Sequence, residues 1–268
     1  MGLVALLLGL MLALPAAAQA PVRIVTSEQA APSDEQSYRK EFVFGINFNT
    51  QGALIGGVSV RSARVLDERW LRFWSLEGVM LKNNKEQRVQ TPNYGGSIIN
   101  RKVNYAFALR PSFGMQRILF RKAADSGVQV NALLSAGPSL GLLLPYYVSY
   151  DNTPAGQQQT NSAYYEDIPS TEAYDSKHSV ERIIDRSSLF AGIGATKVVP
   201  GAHVRGALSF EYGRYRDAVA GLETGFLVEA YTKPITILLP PTAAAASSSL
   251  SRQFFPSVYL TLYFGHRS

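Results

Sequence analysis

From residue 41 onward apolar and polar residues alternate with period two, the repeat of an extended strand with one apolar face. The clearest run sets Val103, Tyr105, Phe107, Leu109, Pro111, Phe113 and Met115 against Asn104, Ala106, Ala108, Arg110, Ser112, Gly114 and Gln116. It holds its phase over about fifteen residues, whereas strands of soluble proteins are usually about five or six long. Residues 128 to 142 repeat the pattern with even positions apolar, and 202 to 212, 218 to 230 and 41 to 49 follow in shorter form. The chain ends "QFFPSVYLTLYFGHRS", where Phe254, Pro256, Val258, Leu260, Leu262 and Phe264 form one face and Phe255, Ser257, Tyr259, Thr261, Tyr263 and Gly265 the other.

These runs predict eight strands, at 41–50, 53–64, 69–82, 101–121, 128–148, 201–215, 218–232 and 253–266. The second, fourth and sixth connections are short, and the third, fifth and seventh are long. That parity is the one outer-membrane barrels require, with short periplasmic turns and long extracellular loops. "SLFAGIGATKVVPG" at 188–201 could be a ninth strand, but a ninth strand would break the parity, so it is left in the long loop or folded against the barrel. The expected fold is an all-β, eight-stranded antiparallel transmembrane β-barrel, with the last strand closing on the first so that no edge lies unpaired in hydrocarbon.

The N-terminus supports export. "MGLVALLLGLMLALPAAAQA" combines a short apolar run with a small-x-small ending, which predicts a cleaved signal peptide over 1–20. Residues 21–40 read as a flexible periplasmic leader and 41–268 as the barrel. No later stretch reaches the ~20 apolar residues of a membrane helix. The chain has no cysteine, which excludes disulfide, zinc-thiolate and thiol-nucleophile chemistry. Its 26 Lys+Arg and 20 Asp+Glu are dispersed, so no nucleic-acid partner is inferred.

Strand phase directs Arg61, Glu77, Lys102, Arg110, His203, Arg205, Glu211, Glu223 and Glu229 into the lumen, and Phe107, Leu109, Phe113, Leu134, Phe210, Phe226, Val258, Leu260, Leu262 and Phe264 toward lipid. A barrel of eight strands is wide enough only to be filled by side chains, so the charges are read as a paired polar filling, not a conducting path. Trp70, Trp74, Tyr105, Tyr147, Tyr212, Tyr215, Tyr231 and Tyr263 are candidates for interfacial girdles. With His178, His203 and His266 the only histidines and no strained nucleophile turn, no catalytic residue is assigned. Glu166, Asp167, Glu172, Asp175 and His178 follow no metal-ligand spacing and read as an exposed acidic loop. No metal and no cofactor is expected. Strand-interior glycines such as Gly137 and Gly225 relieve crowding in a small barrel.

The segments "GINFNT", "KEQRVQ", "ILFRKAA", "GPSLGL", "LSFE" and "FPSVYLTLYFG" resemble a family of uncharacterised outer-membrane β-barrel proteins of Bacteroidota-type bacteria, over most of 41–266. The resemblance implies a single-chain outer-membrane barrel and carries over no catalytic residue. A more distant similarity links it to small barrels of gliding and type 9 secretion. The expected role is structural or interaction-based, through the external loops. Its expected partners are outer-membrane lipids, the barrel-insertion machinery, and envelope or extracellular proteins. A small channel, a lipid-modifying enzyme and an accessory barrel of a secretion system are the alternatives.

Overall fold

The computed structural model describes residues 38–121, 127–154, 156–157, 164–175, 178–212, 218–240 and 251–268. The signal peptide, nearly all of the leader, Tyr215 and the Ala/Ser tract at 241–249 lie outside them.

Eight long strands close into one antiparallel barrel: β1 (Lys40–Asn49), β2 (Gly52–Val65), β3 (Trp70–Leu81), β4 (Asn104–Phe120), β5 (Val128–Pro145), β6 (Lys197–Tyr212), β7 (Ala218–Thr236) and β8 (Ser251–Arg267). Closure runs through β1 and β8, paired from Glu41 opposite Arg267 to Asn49 opposite Tyr259. The apolar face of the terminal segment is therefore the outer wall of the closing strand. Both described chain ends and the connections after β2, β4 and β6 lie at one end, called here the turn end; the three long connections lie at the other, the loop end. After β2 the turn is held by the Leu66 and Asp67 amides donating to the Trp70 carbonyl.

The expected parity is met with eight strands. Several boundaries move. β6 begins at Lys197, so "KVVPG" opens a barrel strand instead of ending a loop, because its phase continues outward Val198 and inward Val199 into His203. β7 runs on to Thr236. β5 stops at Pro145, and a separate strand, Tyr147–Asp151, leaves the barrel.

Close packing inside a narrow barrel fixes one glycine strongly. A Cβ on Gly137 would lie 2.1 Å from the Pro111 carbonyl oxygen. Gly137→Ala is expected to cost about 1–3 kcal/mol through overpacking, read as a lower urea midpoint. Gly206→Ala is the control, since nothing lies within 4 Å of its Cβ, and it is expected to change stability by less than about 0.5 kcal/mol.

Candidate functional site

The interior is stacked in layers. Toward the loop end, Val79, Leu81, Leu143, Val199, Ile235, Phe255 and their neighbours form an apolar plug. Toward the turn end, Ala63, Leu71, Phe73, Ile118 and Leu133 form a second, with Val43, Val219 and Tyr263 beside it.

Between the plugs lies a charged layer. Arg110 grips Glu229 through two bonds of 2.9 and 2.7 Å and reaches Glu77 at 3.3 Å. Arg205 also donates to Glu77, and Arg61 donates to Glu223 at 2.6 Å. Asn47 donates to Glu77 at 2.6 Å and the Tyr259 hydroxyl to Glu223 at 2.7 Å. The Arg205 guanidinium also lies 4.6 Å from the centre of the Tyr259 ring. Three arginines thus face three glutamates, and each carboxylate has more than one donor. An isolated buried ion costs several kcal/mol, so only such mutual pairing makes a charged interior stable. His203 sits between two hydroxyls, with Nε2 2.8 Å from the Ser112 oxygen and Nδ1 3.0 Å from that of Ser139.

Two of the lumen candidates lie outside this layer. Lys102 precedes β4 and sits at the loop end, where it pairs with Glu86 at 3.0 Å and lies over the Tyr105 ring, because the strand begins only at Asn104. Glu211 sits at the turn end, joined with Glu41 to Arg267. Glu41, Asn47, Tyr259 and Arg267 were not singled out from the sequence, although all four share the inward odd phase of their strands. "GHRS" thus extends β8 far enough to place Arg267 inside the mouth. The internal cavity among Arg61, Phe73, Arg205, Glu223 and Tyr263 is about 20 Å³, room for about one water.

The outer wall is apolar. Phe113, Leu134, Phe226, Val258, Leu260, Leu262 and Phe264 are exposed, whereas Phe107, Leu109 and Phe210 are half-buried. Along β5, every outward residue from Val128 to Leu144 is apolar. Of the girdle candidates, Trp70, Trp74 and Tyr212 are exposed on this wall and Tyr147 is half-buried. Tyr231 and Tyr263 instead point inward, and Tyr105 is buried beneath the loops.

At the loop end the long connections fold on each other. Tyr147–Asp151 pairs with Tyr165–Pro169 on one side and Ile183–Arg186 on the other, and Arg88–Gln90 pairs with Ser97–Ile99. Ile98, Tyr146, Val148, Tyr150, Ile168 and Ile183 form a core that also covers Tyr105 and Leu144, with Phe107 packed against it. Polar ties join the two loops: Thr91 donates to the Ile184 carbonyl at 2.9 Å, Asn93 to that of Glu181 at 3.1 Å, and the Ser97 amide to the Asp185 carboxylate at 2.9 Å. The acidic-loop residues are engaged separately. Asn152 donates to Glu166, Ser149 and Ser187 donate to Asp167, and His178 stands 4.0 Å from Glu172. No three potential metal ligands converge among the described residues.

Asp151 is the lock of this platform. It accepts hydrogen bonds from the Tyr94 hydroxyl at 2.5 Å and the Thr153 amide at 2.8 Å, and from the Thr153 hydroxyl. Burial pushes its carboxyl up, but these donors and the Arg182 charge hold it below the ordinary carboxylate range. Burial and the Asp151 hydrogen bond push the Tyr94 phenol up to about 12. A depressed carboxylate stabilises the fold above its ordinary pKa near ~4 and loses that contribution as pH falls. A raised phenol stabilises below its ordinary pKa near ~10 and loses its contribution as pH rises toward the raised value. Hydrogen exchange of the Tyr147–Asp151 amides should therefore accelerate below about pH 4 and above about pH 10, after correction for intrinsic rates. Asp151→Asn should remove the acid limb.

No protein-family model and no curated protein sequence matches the chain. Among solved structures, the attachment invasion locus protein Ail of Yersinia pestis aligns over 86% of this chain and 99% of its own, with 7% identity and a TM-score of 0.36. Ail in complex with the heparin analogue sucrose octasulfate aligns with the same values. A likeness this distant transfers no ligand or role to this chain.

Proposed function

We propose that the protein is an integral outer-membrane barrel that works at its loop end, as a surface for extracellular or envelope partners, with a structural lumen and no enzymatic activity. The apolar outer wall supports membrane insertion, since lipid-facing strands carry an uncharged band. The expected export signal and the strand parity support a periplasmic turn end.

The observation that carries the reading is the pairing of a closed interior with an ordered roof. The charged layer is sealed between two apolar plugs, and the long loops above share a core of their own instead of remaining separate. The apolar plugs interrupt any continuous water path along the lumen, which weighs against a pore. His203 and its two serines lie inside the sealed stack, out of reach of a lipid substrate, which weighs against hydrolysis. Exposed Tyr165, Phe190 and Ile193 give the roof apolar contact points among its charges.

A photo-crosslinker at Tyr165 or Phe190 in intact cells is expected to give a discrete protein or glycan adduct that vanishes when the platform is unlocked by Asp151→Ala. In planar bilayers the purified barrel is expected to give no stepwise conductance. Regular conductance steps, or no adduct at any roof position, would overturn the reading.

A further inference from the structure

At the turn end the outer wall carries a row of positive charge. Lys40 on β1 stands opposite Arg64 on β2, and Arg64 stands opposite Arg72 on β3. Arg72 opposes Met115 on β4, which puts Arg117, two residues further along, on its diagonal. All four side chains are exposed and share the outward phase. Among the described residues none of them has an ion pair. The Arg117 guanidinium lies 5.3 Å from the centre of the Trp70 ring. The carboxylates nearby point elsewhere: Glu41 faces inward onto Arg267, and Asp67 and Glu68 sit in the turn beyond. Like charges directly opposite on neighbouring strands repel, so a row of four cations calls for anions from outside the chain.

Beside the row the wall is hollow. A groove of about 540 Å³ runs between β3, β4, β5 and β6, lined by Trp70, Phe113, Met115, Arg117, Ala132 and Leu134. Its size is within the usual range of small-molecule sites, about 300–1,000 Å³. Ala132 and Ala136 open it, because their neighbours along the wall are large. Arg117 belongs to both features and lies against Trp70 in the groove, so an apolar slot ends at a cluster of positive charge.

We propose that this face binds an anionic glycerophospholipid of the periplasmic leaflet, its phosphate on Arg64, Arg72, Arg117 and Lys40 and an acyl chain in the groove. The proposal rests on the membrane reading above, which sets the cation row at headgroup depth. Arginine supplies forked donors suited to phosphate oxygens, and each basic group near an anionic surface is worth about fivefold in affinity.

The test is native mass spectrometry of the purified barrel with equal amounts of phosphatidylglycerol and phosphatidylcholine. Wild-type protein is expected to retain phosphatidylglycerol preferentially. The triple variant R64Q/R72Q/R117Q should lower that preference by about tenfold or more. Ala132→Phe, which fills the groove, should weaken both lipids together and leave the preference intact. Equal retention of the two lipids by wild type, or an unchanged preference in the triple variant, overturns the site. Detergent dependence and heat-shifted gel mobility of the same samples separate the two ways of failing. A detergent-dependent, heat-shifted barrel without lipid preference refutes the lipid site alone, whereas a barrel soluble without detergent refutes the membrane reading and the site with it.

Discussion

Glu229→Leu is expected to destabilise the barrel by about 3–5 kcal/mol, the largest effect of any single change considered. The substitution strips Arg110 of both its short bonds and leaves it only the 3.3 Å contact with Glu77, a carboxylate already engaged by Asn47 and Arg205. The charged layer then holds three guanidinium groups against two carboxylates, in an interior whose cavity has room for about one water. The double variant Arg110→Met/Glu229→Leu should recover most of the loss, because exchanging a whole buried ion pair for apolar groups is often close to neutral. Urea unfolding of the refolded barrel in liposomes, followed by tryptophan fluorescence, measures all three proteins. A single-variant cost below about 1 kcal/mol, as for solvent-exposed pairs, would mean that water reaches Arg110, and the closed-lumen reading would fail with it.

The second large effect concerns the wall. Arginine placed at Leu260 is expected to cost about 2–4 kcal/mol, and arginine at Phe254 or Phe264, nearer the ends of the band, about 0–1 kcal/mol. The residues share one strand and one outward phase, so the comparison holds local structure nearly constant and varies depth alone. A flat profile would indicate water on every side of β8. A peak at the middle of the strand, with the cost falling toward both ends, is the signature of a bilayer.

Much of this fold can be read from the sequence, and the parts that cannot share a physical cause. Alternation along 103–117 and 254–264 is legible because one face forms the exposed apolar wall and the other a packed interior, so each residue choice is constrained. Phase reports which way a side chain points, not what covers it. Phe107, Tyr105 and Leu144 point outward as their phase demands, yet the folded loops bury or half-bury them. Tyr231 and Tyr263 look like interfacial aromatics by position, but their odd phase, shared with Tyr259 and Arg267, sends them inside. The ion pairs Arg61–Glu223 and Arg110–Glu229 join residues more than a hundred positions apart. Each partner was recognisable as inward, while the pairing depends on register around the closed barrel, which alternation does not encode. The loop platform was unreadable for a different reason: its strands are only three to five residues long, too short to set a period.

The central claim is a closed barrel that resides in the outer membrane. The most direct measurement is the electrophoretic mobility of the protein from outer-membrane fractions, with and without boiling. The account predicts that the unheated sample, still folded in detergent, migrates ahead of the boiled one. Recovery from the soluble periplasmic fraction, with one mobility under both conditions, would contradict it, and Val258, Leu260 and Leu262 would then have to pack on something other than lipid.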